Sequence, residues 1–159
     1  MSRTGSIASQ RGFTLIEMLV VLGVLALVTA MILPMMTGTQ SKADVDAAAR
    51  ELVAALRSTR NLAMMHGHSE AFLLDTGSGT FRAGKDGAPQ RVSGNVRLAL
   101  VTATQEQISD KAGGIRFFAD GSSTGGGVKL AKGKVHDQVL VDWLTGRVSR
   151  GDGTHAAAR

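Results

Sequence analysis

The chain has no cysteine. Disulfide frameworks, thiolate metal sites and cysteine nucleophiles are therefore excluded, while the compartment stays open. Aromatic residues make up only 4% of the 159 positions, so a nucleic-acid platform of stacked rings is not expected. Excess charge is modest too. The formal net charge is +5, and Arg3 and Arg11, both within the first twelve residues, supply two of those positives. The remaining charge of about +3 does not by itself call for a polyanionic partner. There is no internal repeat. One further absence is local: no residue from Met18 to Leu33 is charged.

That uncharged stretch lies inside a dense apolar block, "FTLIEMLVVLGVLALVTAMILPMM", residues 13–36, preceded by the small, polar and basic "MSRTGSIASQRG". A helix over residues 13–36 is roughly 36 Å long, enough to cross a bilayer core of about 30 Å. Arg3 and Arg11 place the end before it in the cytoplasm and the rest of the chain outside. A cleaved secretory signal is one candidate, with "VTA" at residues 28–30 imitating a cut site. A plain signal anchor is another. Neither accounts for Glu17, since a carboxylate inside a membrane segment is costly and ordinarily has a partner. Pro34 removes a backbone hydrogen bond and crowds the preceding turn, so a kink is expected near residues 30–34.

Beyond Pro34 the pattern becomes that of a soluble domain. Val45, Ala49, Leu52, Leu56, Thr59 and Ala63 recur at steps of three and four, one apolar stripe on an amphipathic helix over 41–66. Asp44, Asp46, Arg50, Glu51, Arg57 and Arg60 lie mainly on the other faces, and His66-Gly67 marks the helix end. From Glu70 the period shortens. "EAFLLD", "TFRA", "NVRLALV", "GIRFFAD", "GVKLA", "QVLVDWL" and "GRVSR" read as six or seven short, mainly antiparallel strands over 70–150. "TGSG", "GKDGAPQ", "DGSSTGGG" and "LTG" supply the turns between them. A one-faced helix must bury its stripe, here against the strands. The tail "GDGTHAAAR" lacks apolar periodicity.

Catalytic patterns are missing. His66 and His68 stand two apart at the helix end, where a helical zinc pair needs wider spacing, and no third ligand is evident. No metal site and no cofactor are expected. "DGSSTGGG" lacks the Gly-Lys-Ser/Thr ending and the following helix of a phosphate loop. Ser122 and Ser123 have no recognisable base and acid partners. Trp143 is expected in the core. Arg147 and Arg150, with Lys129, Lys132 and Lys134, offer a candidate phosphate-binding strip, although lysines also guard exposed strands against pairing.

"GFTLIE", residues 12–17, resembles the processing motif of type IV pilins and type II secretion pseudopilins. The resemblance implies an α+β, type IV pilin-like fold. A long N-terminal helix, its first half transmembrane, packs on a mainly antiparallel β region. It implies a basic leader, residues 1–12, removed by a prepilin peptidase between Gly12 and Phe13, and methylation of the new amine of Phe13. It also implies a role for Glu17 as an assembly contact, pairing with the N-terminal amine of a neighbouring subunit. Pairing within one chain is the alternative. Residues 13–36 become the transmembrane half-helix of a single-pass inner-membrane protein, and 37–159 a periplasmic domain.

"FFADGSSTGGGVKLA" (117–131) and "VLVDWLTGRVS" (139–149) are similar to the late hairpins of minor pseudopilins of the general secretion pathway protein H family. Asp137, Asp142 and Asp152 lack the ligand spacing of the calcium loop found in the major type. The implied partners are the peptidase, other minor and major pseudopilins and the inner-membrane assembly platform; nucleic acid is not favoured. The implied function is assembly, not catalysis, near the tip of a periplasmic pseudopilus that drives folded exoproteins through the outer membrane. The alternative is a minor type IV pilin of the fimbrial T/U kind, serving pilus assembly or DNA uptake.

Overall fold

The computed structural model describes residues 13–151; of 30–38 it describes only their place within the helix. The kink expected at Pro34 therefore falls outside the described residues, as does Gly12. Helix α1 runs Leu15–His66. Among the described residues eight strands follow: β1 (Glu70–Asp75), β2 (Thr80–Ala83), β3 (Gln90–Arg91), β4 (Arg97–Thr102), β5 (Ala112–Phe117), β6 (Gly126–Lys132), β7 (Val135–Val141) and β8 (Val148–Gly151). The chain divides into two compact units, one ending at Thr37 and the other beginning at Gly38.

In the first unit every large apolar side chain from Phe13 to Val28 is exposed, on all sides of the helix. A helix apolar all round needs lipid or other helices about it. The Thr29 hydroxyl donates to the Leu25 carbonyl at 2.6 Å, so its polar group is satisfied without an outside partner. Among the described residues no helix is long and apolar enough to cross a membrane. The described side chains of the apolar run stop at Thr29, short of the expected span 13–36.

The second unit packs the part of α1 from Val45 to Ala63 against two four-stranded sheets, ordered β3-β2-β1-β5 and β4-β6-β7-β8, with every pairing antiparallel. Val45, Ala49, Leu52, Leu56, Thr59 and Ala63 are all buried, joined by Ala48 and Ala55. Phe72 and Leu74 of β1, Ile115 and Phe117 of β5, Val128 and Leu130 of β6, and Val139 and Val141 of β7 complete one continuous core. Gly67 ends the helix with a left-handed φ of +68°, a conformation that costs glycine little. The two sheets are stitched where the Thr102 hydroxyl donates to the Gly114 carbonyl and the Thr124 amide donates to the Arg116 carbonyl at 2.9 Å.

Two expectations change. A short strand, Gln90–Arg91, pairs with β2 at the end of the segment read as a turn. Trp143, expected in the core, is 66% exposed, and its neighbour Leu144 is exposed as well. Strand β7 ends at Val141. The Asp142 carboxylate then accepts the amide and hydroxyl of Thr145, at 2.8 and 2.7 Å, and turns the chain. Trp143 and Leu144 therefore ride on the turn and escape the strand's in-out alternation. Gly146 closes that turn at φ +59°, where a Cβ would lie 2.1 Å from the Gly121 carbonyl oxygen.

Candidate functional site

The site singled out by the sequence is the start of α1. Phe13 and Thr14 precede the helix, and Phe13 is largely exposed. The Thr14 hydroxyl accepts the Glu17 amide at 3.3 Å, and the Thr14 carbonyl accepts the Met18 amide at 3.3 Å. Thr14 is thus the helix N-cap and Glu17 the third helical residue. T-x-x-E at this place is the capping-box pattern, with one of its two bonds formed. An acid in the first turn also faces the positive end of the helix dipole. The cap was legible in "FTLIE", though sequence reasoning looked only at the carboxylate. Because Glu17 contributes its backbone N–H to the cap, its exposed side chain stays available for a partner. Gly12, the other half of the expected processing junction, lies outside the described residues.

The candidate phosphate strip does not stand free. Arg150 donates to both Asp137 of β7 and Asp46 of α1. Lys132 donates to Asp44 Oδ2 at 2.6 Å and to the Gly94 carbonyl at 2.7 Å. Two of the five cations therefore bind the helix to the second sheet. Arg57 and Arg60 do similar work at the other end of the stripe. They donate to the carbonyls of Val148 at 3.3 Å, Gly121 at 2.9 Å and Thr145 at 3.0 Å.

Ser122 and Ser123 serve turns. The Ser122 hydroxyl donates to Asp120 at 2.6 Å and the Ser123 hydroxyl to the Asp142 carbonyl at 3.0 Å. His66 and His68 do meet a third group that sequence reasoning missed. Their Nδ1 atoms lie 3.4 and 3.6 Å from Oε1 of Glu70. The available signal was the alternation of β1, which puts Glu70 on the same inward face as Phe72 and Leu74.

An N-cap and a single carboxylate opening an otherwise apolar helical stretch, followed by a one-faced stretch on antiparallel sheets, make a pilin-like fold. Residues 7–33 match the prokaryotic N-terminal methylation motif, and residues 48–146 match the family "Type II transport protein GspH". The chain is 33% identical over 141 residues to the type II secretion system protein H of Xanthomonas campestris pv. campestris, covering 89% of this chain and 83% of that one. Its fold is similar to that of the minor pseudopilin EpsH from the type 2 secretion system of Vibrio cholerae. The TM-score is 0.54 at 9% identity, over 70% of this chain and 99% of that one. The chain belongs to the GspH family, the minor pseudopilins of the type II secretion system. Membership implies contact with other pseudopilins and with the secretion machinery, and the methylation motif points to a membrane-anchored subunit.

Proposed function

We propose that this chain is a structural, non-catalytic subunit near the tip of the periplasmic pseudopilus, the filament that drives folded exoproteins through the outer membrane. In this reading residues 1–12 are a leader removed by prepilin peptidase, and Phe13 carries the methylated amine. Residues 13–36 hold the chain in the inner membrane as a single pass with the N-terminus cytoplasmic. Residues 37–159 form the periplasmic domain. The assembly platform then draws the subunit into the filament.

The observation that carries it is the isolation of Glu17. It is the one charged residue between Phe13 and Thr29, a stretch whose large apolar side chains are all exposed. An unpaired carboxylate in a low-dielectric surround is costly, and a methylated amine on Phe13 of a neighbouring subunit would neutralise it. Deletion of the gene tests the reading. Exoproteins should accumulate in the periplasm and be restored by the wild-type chain. Normal secretion combined with lost pili or lost transformation would instead assign the chain to type IV pili.

A further inference from the structure

The end of α1 and the start of β1 bring three metal-ligating side chains together in five residues, "HGHSE". His66 is the last helical residue, His68 follows the turn and Glu70 opens β1. The left-handed φ of +68° at Gly67 turns the chain there, bringing both imidazoles to the same carboxylate. The Nδ1 atoms of His66 and His68 stand 3.4 and 3.6 Å from Glu70 Oε1. One ligand atom from each of the three residues lies within 4.8 Å of the others. Ligand bonds of about 2.0–2.1 Å around a tetrahedral metal put neighbouring donor atoms about 3.3 Å apart. The two imidazole–carboxylate distances are close to that spacing.

The carboxylate is also held in place. Glu70 is only 5% exposed, and its other oxygen, Oε2, accepts the Lys85 amide at 2.9 Å. Oε1 is thereby directed at the imidazoles. Both imidazoles are solvent-accessible, with His66 47% and His68 61% exposed, so an ion has a way in. His68 Nδ1 also lies 3.4 Å from the Ser69 carbonyl, a long contact that a metal bond would replace.

We propose that His66, His68 and Glu70 form a binding site for one divalent transition-metal ion, of which zinc is the type. Two imidazoles and one carboxylate suit zinc, nickel, cobalt and copper(II), not the hard cations calcium and magnesium, which take oxygen. Three protein ligands leave at least one position for water. The ion would clasp the end of the long helix to the first strand.

The test is zinc titration of the full mature chain in detergent micelles, free of any polyhistidine tag, against a chromophoric competitor, with thermal melts alongside. One zinc per chain is expected, with a melting temperature that rises on loading and returns with a chelator. Losing an outer-sphere partner alone costs about ten- to a hundredfold in metal affinity, so losing a ligand should cost at least about tenfold. His66→Ala and His68→Ala should each show that loss, and should lose the rise in melting temperature on zinc loading relative to their own metal-free melts, which sets aside any stability lost with the imidazole–Glu70 contact. The only other histidines are His136 and His155. His136→Gln and His155→Gln should bind zinc as the wild type does. The proposal is overturned if no zinc binds, if His66→Ala and His68→Ala bind it unchanged, or if calcium competes on equal terms.

Discussion

Arg150, four residues after the tight turn at Gly146, holds Asp46 on the helix, 104 positions earlier in the chain. The same guanidinium donates to Asp137 on the adjoining strand. Asp137 is buried. Arg150→Ala should therefore leave a buried carboxylate without its charged partner and cost about 1–3 kcal/mol of domain stability, the usual penalty for an unsatisfied buried group. Arg150→Lys should fall between, since an ammonium lacks the planar fork that serves two acceptors at once. Chemical denaturation of a fragment beginning at Gly38 measures both. Equal midpoints for Arg150→Ala and wild type would show that the clasp contributes nothing.

Acid sensitivity should follow from the same bond. Arg150's hydrogen bond, with smaller help from the charges of Arg150, Lys42 and Arg50, holds the Asp46 carboxyl below its ordinary 3.8, against the opposing effect of burial. Asp75, Asp120 and Asp142 are held low mainly by the hydroxyls of Ser78, Ser122 and Thr145. A carboxyl whose folded-state value is depressed contributes stability in full above its unfolded value and loses it as pH falls through the folded one. The melting temperature of the fragment should thus be level in this respect from about pH 5 upward and fall below about pH 4. Asp46→Asn should lower it at pH 6 and flatten the acid limb. A variant with the wild-type acid limb would remove Asp46 from the account.

Helix packing gives the third prediction. Leu52 and Leu56 are fully buried at the centre of the stripe. Truncating either to alanine should cost about 2–5 kcal/mol, the range for a core leucine whose surroundings relax only in part. The expected readout is a lower denaturation midpoint with an unchanged slope. Melts unaffected by both substitutions would mean that the helix face is not the domain's core.

Local signals account for what the sequence made legible. The segments "EAFLLD" and "TFRA" coincide with β1 and β2, because alternation and glycine turns are properties of consecutive residues. The six stripe positions from Val45 to Ala63 are all buried for the same reason. Strand β3 was missed because two residues are too few to show a period, and pairing with β2 alone creates it. Trp143 was misplaced because its neighbour Asp142 forms a turn that ends the strand early. The pairing of Lys132 with Asp44 spans 88 positions, and no local pattern announces it. Glu70 was passed over as a ligand because its meeting with two histidines depends on the turn at Gly67.

Processing provides the fourth prediction. The junction Gly12-Phe13 stands directly before the N-cap Thr14. Protein from a peptidase-positive cell should begin with methylated Phe13. Gly12→Val should keep the leader attached, because a β-branched side chain replaces the smallest residue at the cut. Mass spectrometry of the intact chain reads the result. A start at Met1 or near Met31 would contradict it.

The last prediction separates the two roles that meet at the start of α1. Thr14 caps the helix through its hydroxyl, and the donor it engages is the backbone N–H of Glu17, which any residue at that position retains. Thr14→Ala should therefore fray the first turn, at a cost of about 1 kcal/mol typical of a lost N-cap, while leaving the carboxylate in place. Glu17→Ala should keep the cap bond and lose the carboxylate. Removing a charge makes membrane insertion easier, so the variant should still be inserted and trimmed at Gly12. Incorporation into the pseudopilus is the step that should fail. Glu17→Gln preserves shape and hydrogen bonding without charge, so if neutralisation of the neighbour's amine is what matters, it should behave like Glu17→Ala. Crosslinking to other pseudopilins, combined with a secretion assay, orders the variants. The expected order is wild type, then Thr14→Ala, then Glu17→Gln with Glu17→Ala. Wild-type crosslinking and secretion by both Glu17 variants would show that the carboxylate is no assembly contact, and pairing within the chain would be the better account.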